Sequence, residues 1–263
     1  MLIAVLAFLL GLLIGSFLNV CIYRWPRDLS VVRPRSHCPE CGKTIAWYDN
    51  IPLLSFALLR GRCRHCRARI LLRYPVVEAM AGLLFLYFVG TLGLTLAAAK
   101  MCVFSAALVA LIFSDLEQRI LPDELTLGGT LAGLAFALAV PTPPDGLRWL
   151  LGLHGAADSL AGSALGAVFP SACLWGAGWL YKKVRHREGL GFGDVKLVAM
   201  AGSFLGLYGA LLSLLWGSLA GAVLGYAYIR ATHKDAATYE LPFGAFLGAA
   251  ALLVGIAAPS LLP

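Results

Sequence analysis

Four cysteines in this chain have the spacing of metal ligands. They form the pairs Cys38-Pro-Glu-Cys41 and Cys63-Arg-His-Cys66. The two-residue gap lets both thiolates of a turn face one metal ion, and two such pairs at this separation are typical of a structural zinc site. Four thiolates complete a tetrahedron and leave no open position for catalysis. We therefore predict that Cys38, Cys41, Cys63 and Cys66 bind zinc as a structural cofactor.

Other residues of the cysteine loop leave alternatives open. His37 and His65 adjoin the cysteines, and either could replace a cysteine as ligand, although surface polar residues are the favoured interpretation. Gly42 and Gly61 lie where knuckle turns need small residues. The remaining cysteines lie within or beside apolar segments and are interpreted as packing residues: Cys21, Cys102 and Cys173.

Two aspartates form the second candidate group. Asp115 ends an apolar run, and Asp194 follows the sequence Gly191-Phe-Gly193. Two carboxylates that share a proton can hydrolyse a peptide without a covalent intermediate, because one activates water and the other protonates the carbonyl oxygen. Gly191 and Gly193 leave the backbone open for an extended substrate or for a tight turn that aims Asp194. We predict that Asp115 and Asp194 are catalytic.

The composition determines which elements position these residues. Of the 263 residues, 60% are hydrophobic and 13% are charged, whereas ordinary domains carry about 25% charged residues. Since a helix needs about 20 mainly apolar residues to cross the hydrocarbon core, the sequence predicts an all-α polytopic membrane protein with about eight transmembrane helices and a zinc-stapled loop domain. The predicted spans are Leu2–Tyr23, Tyr74–Gly90, Leu94–Ser114, Leu125–Val140, Leu160–Tyr181, Val195–Leu207, Ala210–Ile229 and Leu241–Ala258.

The basic residues predict the topology. With the N-terminus outside, 19 of the 21 Lys and Arg residues fall in or beside the inside segments 24–73, 115–124, 182–194 and 230–240. By the positive-inside rule these segments are cytoplasmic, the N-terminus is periplasmic and both aspartates lie at the cytoplasmic face. The net charge of +7 is then a topology signal and gives no support for a nucleic-acid partner.

This topology predicts three segments: a first transmembrane helix at 1–23, a cytoplasmic zinc loop at 24–73 and a peptidase bundle at 74–263. The first helix has no basic region before it and no small-residue cleavage site after it, so we expect a permanent helix and not a signal peptide. Small residues four apart, such as Gly129 and Gly133, predict close helix packing.

Three further polar residues within or beside the spans are candidate supporting residues. Glu78 is either an interfacial charge paired with Arg73 or another loop arginine, or a group that binds substrate or cofactor. Asn19 is an amide in an apolar helix and must find a partner inside the bundle. Lys196 adds positive potential near Asp194, which we expect at a helix N-terminus and therefore ionised, with Asp115 as the protonated partner.

With these residues in view, the sequence resembles the type IV prepilin peptidase family, also called leader peptidase/N-methyltransferase. The resemblance runs through nearly the whole chain and rests on an ordered set of segments. Besides the cysteine pairs and Asp115, these are Gly15-Ser-Phe-Leu-Asn-Val-Cys-Ile-Tyr-Arg24, Tyr48-Asp-Asn-Ile-Pro-Leu-Leu-Ser55, Arg73-Tyr-Pro-Val-Val-Glu78, Leu121-Pro-Asp123, Gly191-Phe-Gly-Asp194-Val-Lys196 and Leu241-Pro-Phe-Gly-Ala-Phe246.

The resemblance implies a GxGD-type aspartyl protease of the bacterial inner membrane. It implies that the substrates are prepilins and pseudopilins with a short basic leader and a transmembrane helix, cut at the cytoplasmic face. It also implies methylation of the new N-terminal residue with S-adenosylmethionine as cofactor. The family's aspartates map onto Asp115 and Asp194, and its zinc ligands onto the four loop cysteines. Whether the substrates serve type IV pili, type II secretion or DNA uptake, which residues hold the methyl donor, and the oligomeric state stay open.

Two other functions compete with this interpretation. A membrane scaffold whose zinc loop docks a partner would leave the sequence around Gly191 and Asp194 unexplained. A cation or proton transporter would place its carboxylates near the bilayer midplane, whereas those of this chain cluster at one edge. The sequence therefore favours the enzyme.

Overall fold

The structure, a computed structural model, describes residues 2–141, 155–187, 189–232 and 241–257. Within these ranges the chain forms eight α-helices and no β-strand, so the predicted all-α class is confirmed. The last residue of the final predicted span, Ala258, lies outside the described residues.

The helices follow the apolar segments of the sequence. Five of the described helices, α1, α3, α4, α6 and α7, are long and apolar enough to cross a membrane by length and composition. Their bounds, with those of the shorter helices, are α1 Leu2–Arg24, α2 Leu54–Leu58, α3 Arg73–Leu92, α4 Leu96–Gln118, α5 Asp123–Ala137, α6 Ala156–Arg185, α7 Phe192–Thr232 and α8 Phe243–Ala257.

Helix α7 is continuous over 41 residues except at Gly206, which has φ 73° and ψ −176°. A straight helix would carry Gly225 about 46 Å from Asp194, at ~1.5 Å per residue. However, Leu241 packs against Gly225, while Gly244, three residues further on, lies beside Asp194. The chain therefore turns back at Gly206, and the predicted separation of a sixth and a seventh span is confirmed there.

The chain forms two compact units, one up to Phe113 and the other from Ser114 onward. This boundary differs from the predicted segments 1–23, 24–73 and 74–263, and that division stays a prediction.

In the first unit α1 packs antiparallel to α3, because Gly11 lies against Ala81 while Gly15 lies against Glu78.

In the second unit, small residues let α7 approach its neighbours closely. A Cβ at Gly133 of α5 would lie 2.2 Å from Ser203 Oγ, and a Cβ at Gly202 would lie 1.8 Å from the carbonyl oxygen of Gly166 in α6. Side chains larger than hydrogen do not fit at these crossings. The predicted role of the glycine pairs in helix packing is confirmed at these positions.

Candidate active site and metal centre

Asp115 lies near the end of α4 and is 6% exposed. Its Oδ2 accepts a hydrogen bond of 2.8 Å from the backbone N–H of Ala245. Ala245 is the third residue of α8, and the first N–H groups of a helix have no partner within it. The carboxylate of Asp115 therefore satisfies one of the free donors of α8 from a position 130 residues earlier in the chain.

Asp194 is the third residue of α7 and is 9% exposed. Its backbone N–H donates to the carbonyl oxygen of Gly191 at 3.2 Å, which closes a turn at the start of the helix. A Cβ at Gly191 would lie 3.4 Å from Asp194 Oδ2. The Gly191-Phe-Gly193 sequence thus forms the turn from which Asp194 projects.

The two carboxylates come together at Gly244, the second residue of α8. A Cβ at Gly244 would lie 3.1 Å from Asp194 Oδ1 and 3.2 Å from Asp115 Oδ2. The two oxygen atoms are therefore at most about 6.3 Å apart, the sum of the two distances. The structure thus brings Asp115 and Asp194 together, buried, within the second unit.

Leu121 packs against the glycines of this site. A Cβ at Gly193 would lie 3.1 Å from Leu121 Cβ, and a Cβ at Gly244 would lie 2.8 Å from Leu121 Cδ1. These contacts of Gly244, Ala245 and Leu121 were not predicted from the sequence. Pro242 was the available signal, because a proline just before an apolar run often begins a helix whose free N–H groups can bind a carboxylate.

The prediction that Asp194 is ionised and Asp115 protonated considered only the helix that carries each aspartate, and it stays a prediction. Asp194 does lie in the first turn of α7, but Asp115 faces the N-terminus of α8. Because Asp115 Oδ2 already accepts the N–H of Ala245, Oδ1 is the oxygen better placed to carry a proton. Lys196 Nζ lies 2.5 Å from Asp123 Oδ1, so it joins the starts of α7 and α5.

The four loop cysteines converge in the first unit. All four Sγ atoms lie within 4.8 Å of one another, and the Sγ atoms of Cys38 and Cys66 are 3.8 Å apart. Zinc–sulfur bonds of about 2.3 Å in a tetrahedron place the sulfurs ~3.8 Å apart. The set therefore fits one tetrahedral metal ion, and zinc suits four thiolates.

Two equivalent turns build this cluster. Gly42 N donates to the carbonyl oxygen of Cys38, and Arg67 N donates to that of Cys63. Gly42 and Arg67 both adopt positive φ, at 68° and 61°. The prediction for Gly42 agrees with this geometry. Gly61 does not occupy the equivalent position, which Arg67 holds, although Gly61 also has a positive φ of 65°.

The second turn favours the metal-binding form of one of the four thiols, that of Cys63. Backbone N–H groups of Cys66 and His65 at the sulfur of Cys63 lower the pKa of that thiol to about 7. A thiolate is the species that binds a metal. The N–H groups that shape the turn therefore also stabilise a ligand charge.

Glu78 and Asn19 lie in the first unit, on facing helices. Glu78 Oε2 accepts a hydrogen bond of 2.8 Å from Leu53 N, and Ser16 donates to the same carboxylate. Both interpretations of Glu78, an interfacial charge paired with an arginine or a group that binds substrate or cofactor, stay predictions. Asn19 Nδ2 donates to the carbonyl oxygen of Tyr74 at 3.0 Å, which confirms the predicted partner inside the bundle.

Comparison with known proteins places this architecture in one family. The Bacterial Peptidase A24 N-terminal domain matches residues 9–92, and the Type IV leader peptidase family matches residues 102–226. No solved structure matches the chain significantly.

Three curated relatives carry the name prepilin leader peptidase/N-methyltransferase. The protein of Myxococcus xanthus is 46% identical over 88% of this chain and 64% of its own length. The protein of Burkholderia pseudomallei is 36% identical over 95% of this chain and 84% of its own length. The protein of Pseudomonas aeruginosa is 35% identical over 92% of this chain and 86% of its own length. The chain therefore belongs to the type IV leader peptidase family.

Proposed function

We propose that this protein removes the leader from type IV prepilins and pseudopilins by aspartyl proteolysis. The observation that carries the proposal is the approach of the Asp115 and Asp194 carboxylates to one point at Gly244, both buried. The names of the relatives support the same substrate class.

In this mechanism one carboxylate removes a proton from a water molecule held between the pair, and the other protonates the scissile carbonyl oxygen. The resulting tetrahedral intermediate collapses as the leaving nitrogen takes a proton from the dyad. The N–H of Ala245 holds Asp115 Oδ2 as an acceptor, so Asp115 exchanges protons through Oδ1. The turn at Gly191 and the first turn of α7 orient Asp194.

The second proposed activity is methylation of the new N-terminal amine with S-adenosylmethionine. The relatives' names include N-methyltransferase. When bound, this cofactor supplies a methyl group whose bond to sulfur breaks, with its electron pair going to sulfur, as the amine nitrogen bonds to the methyl carbon and releases a proton. Zinc on Cys38, Cys41, Cys63 and Cys66 is proposed to hold the loop fold.

We propose a bacterial inner-membrane location with the N-terminus periplasmic and the aspartates at the cytoplasmic face. The basic segments 24–73 and 182–194 support this orientation. The substrates would present a short basic leader and a transmembrane helix to that face.

The test is cleavage of a purified prepilin by wild type, Asp115→Asn and Asp194→Asn in detergent. Each amide keeps the size of the side chain but cannot share the proton, so each variant should lose cleavage by at least about a thousandfold, the scale seen for catalytic groups that act as a unit. Unchanged thermal denaturation would show that the variants are folded. Near wild-type cleavage by either variant would remove that aspartate from the mechanism.

A further inference from the structure

The first unit contains a cavity of about 350 Å³ that the proposed peptide cleavage does not use. It lies between the cytoplasm-facing ends assigned to α1 and α3 and the cysteine loop, and its walls include Cys38 and Cys63. The volume falls within the range of about 300–1,000 Å³ that is usual for small-molecule sites. The cavity is therefore large enough for a cofactor of the size of a nucleoside.

One wall of this cavity offers hydrogen-bond acceptors. Asn19 is 3% exposed, and its Oδ1 is buried without a hydrogen-bond partner among the described residues. Glu78 is 8% exposed, and its carboxylate receives hydrogen bonds from Leu53 and Ser16. A carboxylate has about four lone-pair sites, so it can accept further donors. A buried acceptor without a partner costs free energy that a cationic donor would recover.

Asn19 and Glu78 are close to each other across the helix pair. Asn19 bonds to Tyr74, one turn before Glu78 in α3, and the Glu78 Cα lies 2.6 Å from the position of a Cβ on Gly15, one turn before Asn19 in α1. The two acceptors therefore face the same part of the cavity.

Arg24 gives the same cavity a buried positive charge. It is 6% exposed, and its Nη1 and Nη2 donate to the carbonyl oxygens of Ser30 and Pro34. No carboxylate pairs with it in the described part of the chain. A guanidinium has five N–H donors, so Arg24 can also bind a carboxylate. It lies about 7.5 Å beyond Asn19 along α1, at ~1.5 Å per residue.

We propose that this cavity binds the α-amino-acid end of S-adenosylmethionine, with the ammonium held by Glu78 and Asn19 and the carboxylate held by Arg24. The proposal rests on the methyltransferase part of the proposed function. A free peptide N-terminus also carries an ammonium, but it has no adjacent carboxylate for Arg24. Since both Glu78 and Arg24 line the cavity, it fits the methyl donor, which carries both an ammonium and a carboxylate, better than it fits the cut substrate.

This proposal also accounts for the cysteine loop. Cys38 and Cys63 line the cavity, so the metal that joins their turns would fix the wall opposite the helices. Leu53, which donates to Glu78, has the strained backbone angles φ 59° and ψ −45°. Backbone strain is common at ligand sites. Here the hydrogen bond from Leu53 N to Glu78 helps to hold Leu53 in its strained conformation.

The experiment measures binding of two nucleosides to the zinc-loaded, full-length protein in nanodiscs by isothermal titration calorimetry. S-adenosylhomocysteine carries the amino-acid end, and 5′-methylthioadenosine lacks it. Glu78→Gln keeps an oxygen acceptor for Leu53 but removes the charge, and Asp28→Asn is the matched carboxylate-to-amide control outside the cavity. A charged hydrogen bond corresponds to a roughly ten- to hundredfold change in affinity.

We expect Glu78→Gln to weaken the binding of S-adenosylhomocysteine by that factor and to leave the affinity for 5′-methylthioadenosine unchanged. Asp28→Asn should change neither affinity. Equal affinity of Glu78→Gln and wild type for S-adenosylhomocysteine would overturn the proposal, as would no binding to a wild type that cleaves prepilin. A third arm uses a peptide with a free N-terminal phenylalanine. If only this peptide loses affinity in Glu78→Gln, the cavity belongs to the substrate and the donor assignment is wrong.

The prepilin cleavage assay separates this result from failure of the proposed peptidase. A wild type that binds S-adenosylhomocysteine through Glu78 but does not cleave would contradict the dyad and leave the cavity assignment intact. Equal loss of affinity for both nucleosides in Glu78→Gln would show that Glu78 shapes the whole cavity and does not bind the amino-acid end, and this result would overturn the ammonium assignment.

Discussion

Substitution of Gly244 by alanine tests whether the two aspartates meet where the structure brings them together. The new methyl carbon would lie 3.1 Å from Asp194 Oδ1, 3.2 Å from Asp115 Oδ2 and 2.8 Å from Leu121 Cδ1. Carbon atoms in favourable contact are about 3.5–4.0 Å apart, so each carboxylate must shift by a few tenths of an ångström. Gly244 lies within α8, where alanine is favoured over glycine by up to about 1 kcal/mol.

Gly244→Ala should therefore reduce cleavage more than it changes the free energy of unfolding, because the gain in helix propensity offsets part of the cost of crowding. A misplacement of ~1 Å can cost about a hundredfold in rate, so shifts of a few tenths of an ångström at both carboxylates should lower kcat/KM by roughly tenfold or more. The assay is cleavage of purified prepilin, with thermal denaturation measured in parallel. Gly176→Ala is the control, since it places the same methyl group in α6 with no atom within 4 Å.

The cause of the loss can be resolved with a second substitution. Leu121→Ala in the Gly244→Ala background removes the contact at Cδ1 and leaves the two contacts with the carboxylates. If the double variant regains wild-type cleavage, the leucine and not the aspartates transmitted the effect. Wild-type kcat/KM in Gly244→Ala alone would refute the convergence of the carboxylates at this glycine in the working enzyme.

Three further predictions follow from other parts of the chain. Cys38→Ser should lose zinc by metal analysis and lose methylation more than cleavage, because the cysteine lines the cavity of the first unit. Gly202→Ala should lower the melting temperature strongly, because its methyl group would lie 1.8 Å from the carbonyl oxygen of Gly166 and overpacking costs about 1–3 kcal/mol or more. Arg64 hydrogen bonds hold the pKa of Asp49 below its ordinary value. The stabilisation of the folded state by these hydrogen bonds should be complete above about pH 4 and should disappear as the pH falls through the lower folded pKa of Asp49. Acid denaturation of Asp49→Asn should lack this pH dependence.

The features that could be predicted from the sequence are those that depend on local patterns of residues. The helical segments follow from apolar runs, and the convergence of the four loop cysteines follows from the spacing of Cys38 and Cys41 and of the second pair. The break at Gly206 was also visible as a short interruption between two apolar runs, and the predicted topology, with segments 182–194 and 230–240 on the same face, required the chain to reverse direction there.

The features that sequence reasoning missed depend on contacts between distant segments. The N–H donor for Asp115 comes from Ala245, 130 residues away, whereas the sequence reveals only the helix that carries each aspartate. Arg67 occupies the left-handed position that Gly42 holds in the other turn. No composition rule selects an arginine there, because the left-handed region disfavours residues with a side chain and the turn is fixed by contacts beyond the local sequence.

The two proposed activities must act in a fixed order, and the chemistry of one nitrogen is sufficient to impose it. Before cleavage that nitrogen belongs to an amide, whose lone pair is delocalised into the carbonyl group and cannot attack a methyl carbon. Cleavage converts it into an amine, which becomes a nucleophile once it has lost a proton. The proposed methyl-donor cavity is lined entirely by the first unit, whereas both aspartates lie in the second. Separate units can therefore carry the two sites without a gate between the reactions, because an uncut substrate offers the donor nothing to methylate.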